Sequence, residues 1–176
     1  MVKFVDCFIF NDELDLLEFR LSEHDPFTDY FILVESTKSF SGNTKQLYAS
    51  NNISRFKKWI NKLLIIVIDN KEIFNLKSWS LEYYSRNCAI KKLKQLYDNN
   101  LINNNTIVSC VSDVDEIYDK DEINNLKNSL IKPIRPIFRF HQYNLKITRS
   151  PNDTWVPQKR LKKFKIYHLK NFTLRE

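Results

Sequence analysis

Stretches of unbroken apolar residues and stretches with an apolar position every third or fourth residue follow one another along the chain, and their order predicts strands alternating with helices. Val2 to Phe10, VKFVDCFIF, is nearly continuous in apolar residues, with Asp6 as its one acidic interruption, and reads as the first strand. Asn11 follows as a candidate N-cap, Glu13 and Asp15 fall in the first helical turn, and Leu14, Leu17 and Leu21, joined by Phe10, make an apolar stripe. That helix is expected to run to about Glu23, short of Pro26. Tyr30 to Val34, YFILV, is the second strand, with Glu35 at its carboxyl end. The polar loop STKSFSGN comes next; a loop at the carboxyl edge of a parallel sheet is a functional candidate, and Ser41, Gly42 and Asn43 equally describe a plain turn. Ile53 to Leu63 is amphipathic, with Phe56, Trp59, Ile60 and Leu63 on one side, and predicts a helix on the sheet. Leu64 to Ile68 is a third strand closed by Asp69, Trp79 to Tyr97 is the longest helical pattern, and Thr106 to Val111 is a strand buried on both faces. Ile134 to Ile147 alternates as a late strand or hairpin. Neither a repeat nor a linker interrupts the pattern, which describes one α/β domain.

The strongest candidate chemistry lies where the strand Thr106 to Val111 runs out, in SDVDEI. Successive side chains of an extended segment alternate faces, so if the strand continues, Asp113 and Asp115 project to one side and Val114 to the other. Carboxylates sharing one place repel; a hard divalent cation, Mg²⁺ or Mn²⁺, relieves the repulsion and keeps positions open for diphosphate oxygens. Asp119-Lys120-Asp121 repeats the spacing but opens a polar helical stretch, where acids serve as caps and sit at the positive end of the helix dipole. The pair at 113 and 115 instead follows a buried strand, the place where open α/β sheets hold ligands. On the long helix, Trp79, Glu82, Tyr83, Arg86 and Ile90 share one face. Glu82 and Arg86 there are an ordinary i,i+4 pair worth about 0.3–0.5 kcal/mol, or a partly buried pair turning its guanidinium toward a diphosphate.

Composition narrows the picture. At 176 residues the chain suits one domain burying about 70% of its unfolded surface. Gly42 is the only glycine, which excludes Gly-rich phosphate loops and leaves metal and cationic side chains to hold any phosphate. Cys7, Cys88 and Cys110 lack any CxxC spacing and read as buried thiols of a reduced protein, with no zinc site. The net charge of +7 is concentrated at Lys159, Arg160, Lys162, Lys163, Lys165 and Lys170. It is compatible with phosphorylated partners and equally with a solvated helix face. Phe164 and Tyr167 are the few aromatics interleaved there and no nucleic-acid motif is present, so nucleic acid is not favoured as a partner. No stretch reaches the length of a membrane span, and a strand starting at Val2 leaves no room for a signal peptide; a cytoplasmic location is expected.

Four segments in one order, DCFIFNDELDLLEFRLSEHDPFTDYFILVESTKSFSG, then W-x-x-E-x-x-x-R-N, then VSDVDEI, then FRFHQYNL, resemble glycosyltransferase family 17, the β-1,4-mannosyl-glycoprotein 4-β-N-acetylglucosaminyltransferases. The opening segment is the most specific. The resemblance implies a GT-A-like nucleotide-sugar-binding fold, an α/β fold with a mostly parallel central sheet flanked by helices. It also implies UDP-GlcNAc as donor, a glycan acceptor, Mn²⁺ or Mg²⁺, and inversion at the anomeric carbon. Carried over by position, Asp115 is the first candidate for direct metal ligation and Asp113 for metal or ribose contact. Glu35 stands where GT-A enzymes contact the nucleoside, Asn11 and Asp12 where they approach the base, and Arg86 and Asn87 match a helical Arg-Asn near ribose and diphosphate. Residues 1–176 are expected to form one such domain, without the segment containing an aromatic-flanked histidine that follows in the family. A third ligand and the catalytic base would then be absent, or supplied by His141, His168 or a second subunit of a homo-oligomer, with Glu116 and Asp153 further candidates for a base that the sequence does not identify. The expected function is metal-dependent, inverting transfer of GlcNAc from a UDP-sugar. The competing reading is a shortened, catalytically silent homologue that binds a nucleotide-sugar or nucleic acid.

Overall fold

In a computed structural model of the chain, the described residues are 2–128, except 70, 72, 74, 77, 78, 104, 105 and 110, together with 167 and 168. Strand β1 (Phe4–Phe10) is buried at every position, Asp6 included, as a run that is otherwise wholly apolar requires: such a strand has no wet face to offer and has to be covered on both sides. It pairs in parallel with β2 (Tyr30–Ser36), in a register that sets Val5 against Tyr30 and Phe10 against Glu35. On its far side β2 pairs in parallel with β3 (Leu63–Ile68). The other edge of β1 takes two short parallel partners in succession, β4 (Ile107–Val108) and β5 (Ser112–Asp113). A final strand, β6 (Tyr167–His168), lies antiparallel to β4. The order across the sheet is therefore β3-β2-β1-β4-β6. The chain winds outward from β1 through β2 to β3 and then returns to the opposite edge of β1, and that reversal is where open sheets form a crevice beyond the carboxyl ends of their strands.

Helices cover both faces. Helix α1 (Leu14–His24) packs Leu17 and Leu21 against Phe8, Phe10, Phe31 and Leu33 of the sheet. On the opposite face, α3 (Trp79–Asp98) packs Leu81, Ala89, Leu93 and Leu96 against Val5, Cys7, Ile9, Ile32 and Val34. Odd and even positions of β1 thus face different helices, as the period of two demands. Between β2 and β3 lies a one-turn helix α2 (Tyr48–Asn51), and α4 (Lys120–Asn128) follows β5. Among the described residues no helix is long and apolar enough to cross a membrane.

The structure revises several boundaries. Residues Ile53–Trp59 form a 3-10 segment rather than an α-helix to Leu63, with Phe56 at φ −103° and ψ 15°. The segment kinks at Phe56, and Phe56 and Trp59 both remain buried in the core on that face of the sheet. Helix α1 begins at Leu14 with Glu13 at its N-cap position and no side-chain cap, while Asn11 donates its Nδ2 hydrogen bond to Asp12 (2.8 Å) instead. Gly42 has φ 94° and donates its N–H to the Ser39 carbonyl (2.8 Å), closing a tight turn that a Cβ would disfavour. The alternating stretch 134–147, the basic run 159–165, Lys170, Cys110, His141 and Asp153 lie outside the described residues.

The single strand expected over Thr106 to Val111 is divided. Val108 pairs with Val5 and Ser112 with Phe8, so four steps on this strand oppose three on β1. One extra residue is accommodated as in a β-bulge, a device that re-aims whatever follows it. Side chains fill the broken ladder: the Cys7 N–H donates to Ser109 Oγ (2.7 Å) and the Cys7 carbonyl accepts from Ser112 Oγ (3.3 Å).

Candidate functional site

The bulge delivers β5 to the carboxyl end of β1, where Ile9 and Asp113 are opposite each other. Beyond Asp113 the strand stops. The Glu116 N–H donates to the Asp113 carbonyl (3.1 Å), closing a turn, and the Glu116 carboxylate folds back to accept the Asp113 N–H (2.9 Å). Asp113 and Asp115 are therefore brought together by a turn and not by the alternation of a continuing strand. Burial and then the charge of Asp113 push the Asp115 carboxyl above its ordinary value. Glu116, itself buried, is pushed up to about 7, chiefly by burial and further by the charges of Asp113 and Asp115, against the hydrogen bond from the Asp113 N–H. Glu116 is thus committed to the shape of the turn.

Helix α3 supplies the cation. Arg86 donates Nη2 to Asp113 Oδ1 (2.8 Å) and to Glu82 Oε1 (2.8 Å), Nε to the same Glu82 oxygen (3.0 Å), and Nη1 to the Val111 carbonyl. The i,i+4 pair exists, and the guanidinium reaches past it to the aspartate. Burial alone would lower the Arg86 pKa; Asp113 and Glu82 outweigh it and raise it. Asn87 is the next residue along α3 and is half-buried.

The remaining sequence candidates flank this turn. Asn11 and Asp12 extend from the end of β1, with the Asn11 carbonyl accepting from Lys45 Nζ (2.7 Å) and the Asp12 N–H donating to Glu13 Oε2 (3.0 Å). Glu35 is fully buried and accepts from the Ala49 N–H (2.8 Å), the Ser50 N–H (3.1 Å) and Ser50 Oγ (2.9 Å), so its carboxylate braces the chain that enters α2. Asn11, Ser36, Lys38, Phe40, Lys45 and Ser85 line a cleft at the carboxyl ends of β1 and β2. Burial lowers the Lys45 pKa, and Glu35, Asp12 and Glu13 act against that fall. Sequence reasoning marked the loop that holds Ser36, Lys38 and Phe40 but passed over Lys45, because in a chain with 28 Lys and Arg no local pattern singles it out.

It also passed over a buried charge cluster. Asp6, Arg20 and His24 are each fully buried. Arg20 meets both Asp6 oxygens, Nε to Oδ2 (3.0 Å) and Nη2 to Oδ1 (2.7 Å). His24 Nδ1 contacts Asp6 Oδ2 (2.8 Å) and its Nε2 accepts the Tyr118 N–H (2.9 Å). An acceptor at Nε2 puts the ring proton on Nδ1, a neutral imidazole donating to Asp6. The lowered His24 pKa agrees: burial leads, outweighing the pull of Asp6. For Asp6, burial would raise the pKa, but Arg20 and His24 hold the carboxyl well below the usual carboxylate range. One signal was available in the sequence. Residues 17, 20, 21 and 24 share a helical face, so Arg20 and His24 occupy the apolar stripe of α1.

Glu116 yields a pH prediction. Below about pH 4.5 both folded and unfolded chains carry its proton, above about 7 neither does, and between the two only the folded chain holds it. Stability from this group therefore declines as pH rises through that window, by on the order of 2 kcal/mol. With chelator present, the urea midpoint of the native chain relative to that of Glu116→Gln is expected to fall between pH 4.5 and pH 8, a comparison in which the opposing contribution of His24 cancels; equal pH dependence in the two would refute the assignment.

A mostly parallel sheet with helices on both faces, and a carboxylate turn with an arginine at the carboxyl edge where strand order reverses, defines an α/β protein of the GT-A-like transferase class. Residues 1–144 match the family model of glycosyltransferase family 17, and the chain belongs to that family. It is a glycosyltransferase, working between a sugar donor and an acceptor. No curated protein and no solved structure matches the chain.

Proposed function

We propose that the chain transfers GlcNAc from UDP-GlcNAc to a glycan acceptor, with inversion at the anomeric carbon and with Mn²⁺ or Mg²⁺ held by Asp113 and Asp115. The observation that carries this reading is the turn at 113–116, where carboxylates raised by burial and mutual charge sit at the crevice of the sheet. The donor set fits the ion: hard oxygens crowded without enough neutralising charge suit a hard divalent cation, and Mg²⁺ or Mn²⁺ is commonly held by one or two carboxylates plus substrate phosphates. Among the described residues no group of three or more His, Cys, Asp or Glu is arranged to enclose an ion, so the proposed site rests on Asp113 and Asp115 alone.

In the reaction, the acceptor oxygen forms a bond to the anomeric carbon as the bond from that carbon to the β-phosphate oxygen breaks. UDP departs with the electron pair, and the acceptor proton passes to a base. The cation, when bound, neutralises charge developing on the departing diphosphate. The chain's own part is orientation: Arg86 fixes one Asp113 oxygen at 2.8 Å and adds positive charge beside the leaving group. Lys45, half-withdrawn from water across the mouth of β1, offers a further cation to a donor lying in the cleft with Asn11 and Ser36.

Calorimetric titration with UDP and with UDP-GlcNAc, each with Mn²⁺ and with chelator, tests the proposal. Binding that requires the metal is the expected result. Absence of binding under every condition would overturn it, and metal-dependent binding without transfer to any glycan acceptor would turn the reading toward a donor-binding module.

A further inference from the structure

The turn that carries Asp113 and Asp115 is held from beneath by one side chain. Arg20 projects from α1 and is fully buried. A guanidinium has five N–H donors in a fixed fork, and here every one of its nitrogens is engaged. Nε and Nη2 take Asp6, and Nη2 also donates to Ser112 Oγ (2.7 Å). Nη1 donates to the main-chain carbonyls of Asp113 (2.8 Å), Val114 (3.2 Å) and Glu116 (3.0 Å). Half of these six acceptors are backbone atoms of the turn itself. The Phe8 ring stacks 4.4 Å from the guanidinium carbon and Tyr118 lies at 5.5 Å, so the plane of the fork is set as well as its direction. His24, four residues further along α1, ties down the far end of the segment through the Tyr118 N–H. A plain buried ion pair would be complete with Asp6 alone.

We propose that Arg20 is a positioning residue for glycosyl transfer: anchored by Asp6, its guanidinium dictates the main-chain course of residues 112–116 and thereby the separation and aim of the Asp113 and Asp115 carboxylates. The inference rests on the assignment of those carboxylates to the donor's cation, and it extends the functional site to a residue that touches neither cation nor donor. Lysine cannot stand in, because an ammonium offers three protons from a single point and cannot hold Asp6, Ser112 and three diverging carbonyls together.

The test compares Arg20→Lys with Leu17→Ala, a core truncation on the same helix that removes none of the hydrogen bonds to the turn. Two readouts are taken in the full chain: amide hydrogen exchange across 112–118, and calorimetric affinity for UDP with Mn²⁺, followed by the donor KM and kcat. In Arg20→Lys, protection is expected to fall at 112–118 while β1 and β2 keep theirs. Affinity for UDP with Mn²⁺ is expected to fall about tenfold or more, and kcat to fall as well. Leu17→Ala is expected to lower the melting temperature without changing affinity or KM. Native-like exchange across 112–118 in Arg20→Lys overturns the inference, as does native affinity for UDP with Mn²⁺. If the native chain binds no UDP with any metal, the proposed function fails, and the exchange arm still decides whether Arg20 sets the turn. Should Arg20→Lys not fold, Ser112→Ala removes one acceptor and leaves the ion pair; about a threefold loss of affinity is expected, and none would overturn the inference.

Discussion

Asp115→Ala is expected to lower sugar transfer and donor hydrolysis by on the order of 10²–10³-fold, the scale seen when one electrostatic contact to a developing charge is removed, while leaving the fold intact. The fold should survive because the Asp115 side chain reaches solvent even though its carboxyl is partly withdrawn from water, and because it contributes no hydrogen bond to the Asp6–Arg20 cluster. Removing it should also release Asp113 and Glu116 from like charge, so the Glu116 pKa is expected to fall from about 7. Transfer measured against Mn²⁺ concentration decides the matter: a variant whose metal-dependent activity is unchanged would remove Asp115 from the site.

Asp6→Ala is expected to produce the largest loss of stability of any single substitution in the described part of the chain. It leaves Arg20, 0% exposed, as an uncompensated cation in the interior. Breaking a buried ion pair from one side costs about 3–5 kcal/mol, a large share of the 5–15 kcal/mol typical of a whole domain. His24 would lose the acceptor for its Nδ1 proton in the same stroke. Equilibrium urea unfolding with an unchanged slope and a much lower midpoint is the expected signature, and a loss below about 1 kcal/mol would sink the idea that Asp6 is the counterion. In the native chain the same cluster sets an acid limit. His24 is held neutral when folded but protonates near its ordinary 6.5 when unfolded, so its contribution fades as pH falls below that value. Asp6, depressed when folded, contributes stability above about 3.8 that is lost as pH falls further toward its folded value.

The elements that could be read from sequence were those whose pattern is local. β1, β2 and β3 are mostly apolar runs, and α3 is legible over 79–97 against an observed Trp79–Asp98. The errors fell where a distant partner overrides a local preference. Ile53–Trp59 carries a helical pattern, but the chain kinks at Phe56 while Phe56 and Trp59 both stay in the core of that face. Thr106 to Val111 carries a strand pattern, but from Val108 to Ser112 the chain takes one step more than β1 does from Val5 to Phe8, and the Ser109 and Ser112 side chains meet the main chain of Cys7 in place of a continuous ladder.

The site divides along the same line. The identity of the glycosyltransferase family, the presence of Asp113 and Glu35 at the carboxyl ends of their strands with Asp115 just beyond, and that of Arg86 in the first half of α3 follow from the residues and their order, because alternation of strands and helices in a parallel sheet leaves strand carboxyl ends and helix starts on one edge. How they are aimed does not follow. Arg86 reaches Asp113 across 27 residues and Arg20 reaches the Asp113 carbonyl across 93, and no periodicity along a chain records contacts at such separations. The sequence by itself determined which chemistry is carried to the edge of the sheet. The tertiary structure alone decided that a guanidinium buried beneath that edge holds the turn, since a buried fork of five donors must find its acceptors wherever the packed chain presents them.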